Sequence, residues 1–132
     1  DGTFYHGHTF AGNPIAAAAA LAALQVYHAA NISEQARVLG ALLHEGMLDL
    51  CDISGVCRAR TLGLIGAIDL CGNQKGVGAA RARMISARLR MKGILLRPLG
   101  EVLYLMPPLI TPKSVLTEAL RCLRTELIAS VK

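Results

Sequence analysis

The chain has no tryptophan and few other aromatic residues, which make up only 4% of its 132 residues. Proteins that stack nucleic-acid bases need aromatic side chains among their basic ones. The net charge of +5 is therefore weak support for a nucleic-acid partner, and we expect none. The basic side chains concentrate on one predicted helix, which we expect to be a solvated face or a contact with another part of a longer protein. They are Arg81, Arg83, Arg88, Arg90 and Lys92.

Cysteine motifs are also missing. Cys51, Cys57, Cys71 and Cys122 show no C-x-x-C spacing, which argues against a zinc site and against a dense disulfide framework. We expect reduced, mostly buried thiols, as is typical of a cytoplasmic protein. His6 and His8 lie two residues apart and could both bind a metal ion, but no third ligand lies close to them in the chain. We therefore expect no metal site.

No apolar run is long enough to span a bilayer, and no signal-peptide pattern opens the chain. We therefore expect no membrane association. The chain begins at Asp1 and enters a motif at once, from which we expect it to be part of something longer. With 53% hydrophobic residues, 132 residues suffice for one modest core.

Helical periodicity and capping residues predict four helices. They cover residues 15–27, 34–50, 79–92 and a final stretch with Pro112 in its first turn. Apolar side chains at helical spacing predict a buried stripe on the second helix and another on the fourth. The stripes are Leu39, Leu42, Leu43, Met47 and Leu50 on the second helix, and Leu116, Leu120, Leu123 and Leu127 on the fourth. Asn13 is a good N-cap for the first helix, with Pro14 at its first position. We expect Ser33 and Thr111 to cap the second and fourth helices, and Gly93 to end the third.

Apolar runs between these helices predict the strands. Residues 56–62 and 64–70 are two of them, and two short strands meet at a turn over residues 98–100. The order of elements predicts an α+β fold, in which helices cover a small, mainly antiparallel sheet.

Arg97 is a lone basic residue within an apolar stretch, residues 94–110. A guanidinium fixed beside a sheet can bind two oxygens of a carboxylate or phosphate at once. An arginine at a strand end that pairs with a nearby acid fits the same spacing. Both interpretations stay open at this point.

The loop before the first helix has the residue types of an anion site. Gly7 and Gly12 permit close approach of the backbone to a ligand. Thr9 offers a hydroxyl, and backbone N–H groups lie just ahead of a helix start. Glycine–threonine loops before helices are also common structural turns, so this interpretation too has an alternative.

Taken together, these segments resemble the class III aminotransferases, fold-type I enzymes that use pyridoxal 5′-phosphate. Residues 5–14 resemble a stretch of that family, and residues 61–69 look like the strand pair that begins its small domain. Residues 97–108 are the most specific part. They are most similar to the branch that serves biotin biosynthesis with S-adenosylmethionine as amino donor.

The resemblance implies a role for four residues. The threonine that matches Thr9 reaches the cofactor phosphate of the neighbouring subunit, helped by the residue that matches His8. The glycine that matches Gly7 lies against the substrate, and the arginine that matches Arg97 binds the substrate carboxylate. Some members carry proline in place of His8, and only a main-chain contact would survive that change.

The resemblance covers only the C-terminal portion of the family. It implies that residues 1–30 are a loop and connecting helix from the end of the large domain, and that residues 31–132 are the small domain. The lysine that holds the cofactor as a Schiff base and the aspartate that pairs with its pyridine nitrogen lie upstream in the family. None of Lys75, Lys92, Lys113 and Lys132 has a matching context.

These absences lead to expectations about activity and assembly. We expect the isolated chain to be inactive and its parent to be an obligate homodimer. Two alternatives are another class III aminotransferase, acting on ornithine, 4-aminobutyrate or a similar amine, and a small basic binding module.

Overall fold

The computed structural model describes residues 2–131, and Asp1 and Lys132 lie outside the described residues. Its elements follow in the order α1 (Pro14–Ala29), α2 (Ile32–Leu48), a 3-10 helix (Asp49–Asp52), β1 (Val56–Leu62), β2 (Ile65–Leu70), α3 (Val77–Met91), β3 (Val102–Leu105) and α4 (Lys113–Ala129). Two compact units make up the chain, one ending at Ile32 and the other beginning at Ser33.

The first unit consists of an irregular loop and helix α1. The side-chain oxygen of Asn13 accepts hydrogen bonds from the N–H groups of Ile15, at 2.9 Å, and Ala16, at 3.3 Å. This confirms the predicted cap, and Pro14 occupies the first turn as expected. The helix ends at Ala29, and Asn31 follows with a φ of 48°, in the left-handed region that asparagine tolerates.

The second unit is built on a three-stranded antiparallel sheet in the order β1-β2-β3. Strand β1 has the predicted bounds, and Gly63, with a φ of 55°, turns the chain into β2. Strand β2 lies between the other two and pairs Asp69 with Val102 of β3. The predicted α+β class is confirmed.

One predicted strand is missing, because residues 94–98 have no regular structure. Leu99 and Val102 exchange backbone hydrogen bonds of 2.9 and 3.0 Å across a tight turn at Gly100, whose φ is 59°. Pro98 has no N–H to donate to a ladder, so the pairing stops at Leu99.

The core of the second unit lies between the sheet and helices α2, α3 and α4. The apolar stripes predicted for the second and fourth helices are buried. Gly66 of β2 allows α2 to approach closely, since a Cβ there would lie 2.6 Å from Met47 Cε. The largest fully buried side chains are Leu43, Met47, Leu50, Ile68, Leu70, Ile85, Leu89, Leu103, Leu116, Leu123 and Leu127.

Two predicted helix caps are wrong, and one helix stop is confirmed. Helix α2 begins at Ile32, so Ser33 lies inside it. The capping position of α4 is Pro112, which lacks a side-chain donor or acceptor, so Thr111 lies one residue too early. Gly93, with a φ of 78°, ends α3, and the following N–H donates to Leu89 O at 3.0 Å.

No single helix within residues 2–131 is long and apolar enough to cross a membrane. Helices α1 and α2 pass that test only when taken together as a broken pair, and only on length and composition.

Candidate functional site

The loop at the start of the first unit folds into two overlapping turns ahead of α1. The N–H of Ala11 donates to His8 O at 3.0 Å, and the N–H of Asn13 donates to Phe10 O at 3.2 Å. Gly12 has a φ of 78°, which a residue with a side chain rarely adopts. Within residues 2–131, the N–H groups of Thr9 and Phe10 have no hydrogen-bond acceptor.

The donors of this loop fit a phosphate. Thr9 is exposed, and its hydroxyl has no partner within the described residues. One hydroxyl and two free N–H groups in a single turn are the donor set of anion-binding loops. His8 is exposed and contacts the ring of His6 edge to face, with ring centroids 6.3 Å apart.

Gly7 has open space around it. A Cβ placed there would meet no atom within 4 Å, so nothing in the described residues requires glycine at this position.

Arg97 is exposed rather than held inside a buried sheet, which corrects the environment expected from the sequence. Its backbone is nevertheless fixed on both sides. The buried Ser86 hydroxyl of α3 donates to Leu96 O, and Leu99 is paired with Val102. No acid among residues 2–131 pairs with the Arg97 guanidinium, so the structure gives no support to the structural ion pair.

Exposed apolar side chains flank Arg97 in the chain. Leu95 is 75% exposed and Leu99 is 72% exposed, whereas Leu96 between them is buried in the core. A free cation between exposed leucines is suited to a carboxylate on an otherwise apolar molecule.

The basic helix α3 is more than a solvated face. The half-buried Arg81 donates to Ser130 Oγ at 2.8 Å and to Leu127 O at 3.1 Å, and burial lowers the pKa of its guanidinium. Lys92 lies 2.6 Å from the buried carboxylate of Glu126, and Arg88 lies 3.8 Å from it. The sequence analysis did not predict these contacts with α4. Glu126, an acid beside the leucine stripe of α4, could have indicated a buried partner for a basic side chain.

The lysines among residues 2–131 are either paired with an acid or exposed. Lys92 is paired with Glu126, whereas Lys75 and Lys113 are exposed at a turn and at the start of α4. Lys132 lies outside the described residues.

The expectation of mostly buried, unpaired thiols is wrong. Only Cys122 is buried, while Cys51, Cys57 and Cys71 are exposed. Cys57 and Cys71 form a disulfide, with Cα atoms 5.8 Å apart. The separation of 14 residues along the chain does not by itself indicate this pairing, because the two cysteines are brought together by the register of β1 and β2.

Comparison with known proteins identifies the family. The profile of aminotransferase class-III matches residues 2–127. The adenosylmethionine-8-amino-7-oxononanoate aminotransferase of Synechococcus elongatus is 38% identical over 112 residues, which cover 82% of this chain and 25% of that protein. An omega-aminotransferase of Caulobacter vibrioides is 32% identical over 120 residues, which cover 91% of this chain and 27% of that protein.

A solved structure agrees with these relatives. The adenosylmethionine-8-amino-7-oxononanoate aminotransferase of Methanocaldococcus jannaschii matches with a TM-score of 0.81 and 28% identity, over 95% of this chain and 30% of the other. The chain spans about a quarter of the length of the curated relatives that it matches. The chain therefore belongs to the class-III aminotransferase family.

Proposed function

We propose that this chain is the C-terminal part of a cytoplasmic, pyridoxal-phosphate-dependent transaminase that converts 8-amino-7-oxononanoate to 7,8-diaminononanoate. S-adenosylmethionine is the proposed amino donor. Several similar relatives carry the name of this enzyme. The observation that carries the proposal is Arg97, an exposed guanidinium without an acid partner, on a fixed stretch of backbone.

Arg97 is the proposed carboxylate clamp. The substrate has one carboxylate at the end of an apolar chain, which matches a cation flanked by exposed leucines. The backbone of Leu96 and that of Leu99 are both held by hydrogen bonds. The Cα of Arg97, between them, therefore has a fixed position from which its side chain extends. A positioned planar fork loses less entropy on binding two oxygens than a mobile ammonium loses.

The loop over residues 7–13 is the proposed phosphate contact. Thr9 supplies a hydroxyl, and the N–H groups of Thr9 and Phe10 supply two further donors. We propose that these donors bind the cofactor phosphate of the partner subunit in a homodimer, and that Gly7 leaves room for substrate. Pyridoxal 5′-phosphate, when bound, accepts the amino group from one substrate and returns it to the other.

The first experiment compares Arg97→Ala and Arg97→Lys in the full-length enzyme. We expect KM for 8-amino-7-oxononanoate to rise by roughly 10- to 100-fold in Arg97→Ala, because one charged hydrogen-bond pair is lost. Arg97→Lys recovers part of this loss. The absorbance of the bound cofactor stays as in the wild type.

Arg83→Ala is the matched control, since Arg83 is an exposed arginine of α3 without a partner in residues 2–131. An unchanged KM in Arg97→Ala would contradict the proposed clamp.

A second candidate is an aminotransferase with a different amine donor, which the Caulobacter relative favours. A panel of S-adenosylmethionine, ornithine and 4-aminobutyrate as donors to the full-length enzyme decides between the two. The third candidate, a small basic binding module, rests on charge alone. Three of the basic residues of its helix contact α4 instead, and a salt-dependent DNA titration tests it.

The isolated chain is proposed to be inactive, because the resemblance implies that the lysine that binds the cofactor lies upstream of these residues. Of the described lysines, Lys92 is paired with Glu126, and Lys75 and Lys113 are exposed. Incubation with pyridoxal 5′-phosphate followed by dialysis should leave no absorbance band of covalently bound cofactor. A band that survives dialysis would contradict this proposal.

A further inference from the structure

Cys57 and Cys71 lie where two strands meet, and the sheet itself places them together. The ladder pairs Val56 with Leu70 and Arg58 with Asp69, so that Cys57 is the extra residue of a β-bulge. A bulge redirects the side chain of the extra residue out of the regular alternation. The N–H of Cys71 donates to Gly55 O at 2.9 Å, which fixes the backbone of the second cysteine beside the bulge.

We propose that Cys57 and Cys71 form a reversible disulfide, a redox-sensitive modification site independent of the transaminase reaction. Their Cα separation of 5.8 Å lies within the span that a disulfide bridges without backbone movement. Both residues are exposed, and exposed disulfides exchange readily with small thiols. The pair therefore responds to the thiol–disulfide balance around the protein.

The surroundings of the pair suit exchange with a small molecule. Both cysteines line an open surface cavity of about 560 Å³, which Arg81 and Ser130 also line. A small disulfide can therefore reach either sulfur. The thiolate is the attacking form in disulfide exchange, so exchange in this cavity should become faster as the pH rises.

The oxidant is a low-molecular-weight disulfide of the glutathione class. The thiolate of one cysteine attacks a sulfur of this disulfide, breaks its S–S bond and releases one thiolate. The thiolate of the second cysteine then attacks the mixed disulfide and releases the other. In total, the two protein thiols lose two protons and two electrons, and one small disulfide is reduced to two thiols.

The structural effect of oxidation is local. The new bond ties the start of β1 to the turn that leads into α3, in addition to the backbone hydrogen bond between Cys71 and Gly55. Closing this loop restricts the unfolded chain, so the oxidised protein should unfold at a temperature several degrees above that of the reduced protein.

The test exposes the native protein to oxidised glutathione or to dithiothreitol and then blocks free thiols. Trypsin and Asp-N together cut before Asp52 and Asp69 and after Arg58 and Lys75, which separates Cys51 from Cys57. Mass spectrometry should find the peptide over residues 52–58 linked to the peptide over residues 69–75. Dithiothreitol should remove the link.

Cys51→Ser is the matched control, because Cys51 is exposed but outside the pair. This variant should keep both the link and the redox-dependent unfolding temperature, whereas Cys57→Ser and Cys71→Ser should lose both. Links through Cys51, two separately glutathionylated cysteines, or a link that forms only in denaturant would each overturn the proposal. Equal unfolding temperatures of the oxidised and reduced wild type would do the same.

Discussion

The arginines of this chain differ in their hydrogen-bond and ion-pair partners according to their position in the fold. Arg81 is half-buried and donates to α4, Arg60 pairs with Asp69 across β1 and β2, and Arg121 pairs with Glu118 along one helix. Arg97 has no such partner within residues 2–131. Arg83 also lacks a partner there, so the free donors of Arg97 indicate a ligand site only together with the exposed leucines on either side of it in the chain.

The pair of Glu118 and Arg121 gives a pH-dependent prediction at the scale of single residues. A hydrogen bond from Arg121, with a smaller one from the Cys122 thiol, lowers the pKa of Glu118 from 4.5 to about 2. The folded state therefore binds this proton less tightly than the unfolded state does. The pair favours folding above pH 4.5, and its contribution is lost as the pH falls toward about 2.

An NMR titration of the Glu118 carboxyl carbon measures this pKa directly. In Arg121→Gln the midpoint should move up toward 4.5, because the hydrogen bond from the guanidinium, which lowers the pKa most, is lost. The titration of Glu34, which is paired with Arg37, should stay unchanged and serves as an internal control. A Glu118 midpoint that does not respond to this substitution would contradict the assignment.

At the scale of elements, α1 and α4 differ in what holds them in place. Helix α4 buries a stripe of leucines in the core, so packing maintains it. Helix α1 buries no residue. Its alanine content and its Asn13 cap are therefore the local features that favour its helical form.

We therefore expect α1 to be sensitive to its cap. Asn13→Ala removes the acceptor of two N–H groups and should cost about 1 kcal/mol of helix stability. The measurement is the loss of helical signal in far-UV circular dichroism. Asn13→Ser restores an acceptor and should recover most of the signal, and equal signals in all three proteins would show that the cap is unimportant.

At the scale of the whole molecule, helix α1 exposes several large apolar side chains. Along α1, Leu21 is 63% exposed, Leu24 54% and Tyr27 46%. Large apolar side chains exposed together on one helix are typical of a contact with another chain or domain. We expect the isolated chain to self-associate through this helix.

Sedimentation velocity over a range of concentrations measures this association. Replacement of Leu21 and Leu24 by lysine should shift the profile toward monomer, because the two positions share one face of the helix. Replacement of Ala18 and Ala22 by serine is a milder control that keeps both leucines. A wild-type chain that stays monomeric at high concentration would contradict the prediction.

Much of the fold follows from local sequence. The cap at Asn13, the stop at Gly93 and the bounds of β1 are set by residues that lie next to each other in the chain, and all three were predicted. The leucine stripe of α4 was also predicted, since helical spacing alone defines it. Residues 94–98 were wrongly assigned to a strand, because whether an extended segment pairs depends on a partner elsewhere in the chain.

The sequence by itself determined the α+β class, the helix faces and the two motifs that resemble the aminotransferase family, because these depend on local spacing and residue type. Only the tertiary structure decided which charged and sulfur groups meet. Arg81 with Ser130, Lys92 with Glu126, and Cys57 with Cys71 are brought together by helix packing and strand register. Such contacts join distant positions, and their formation depends on the closure of the whole core.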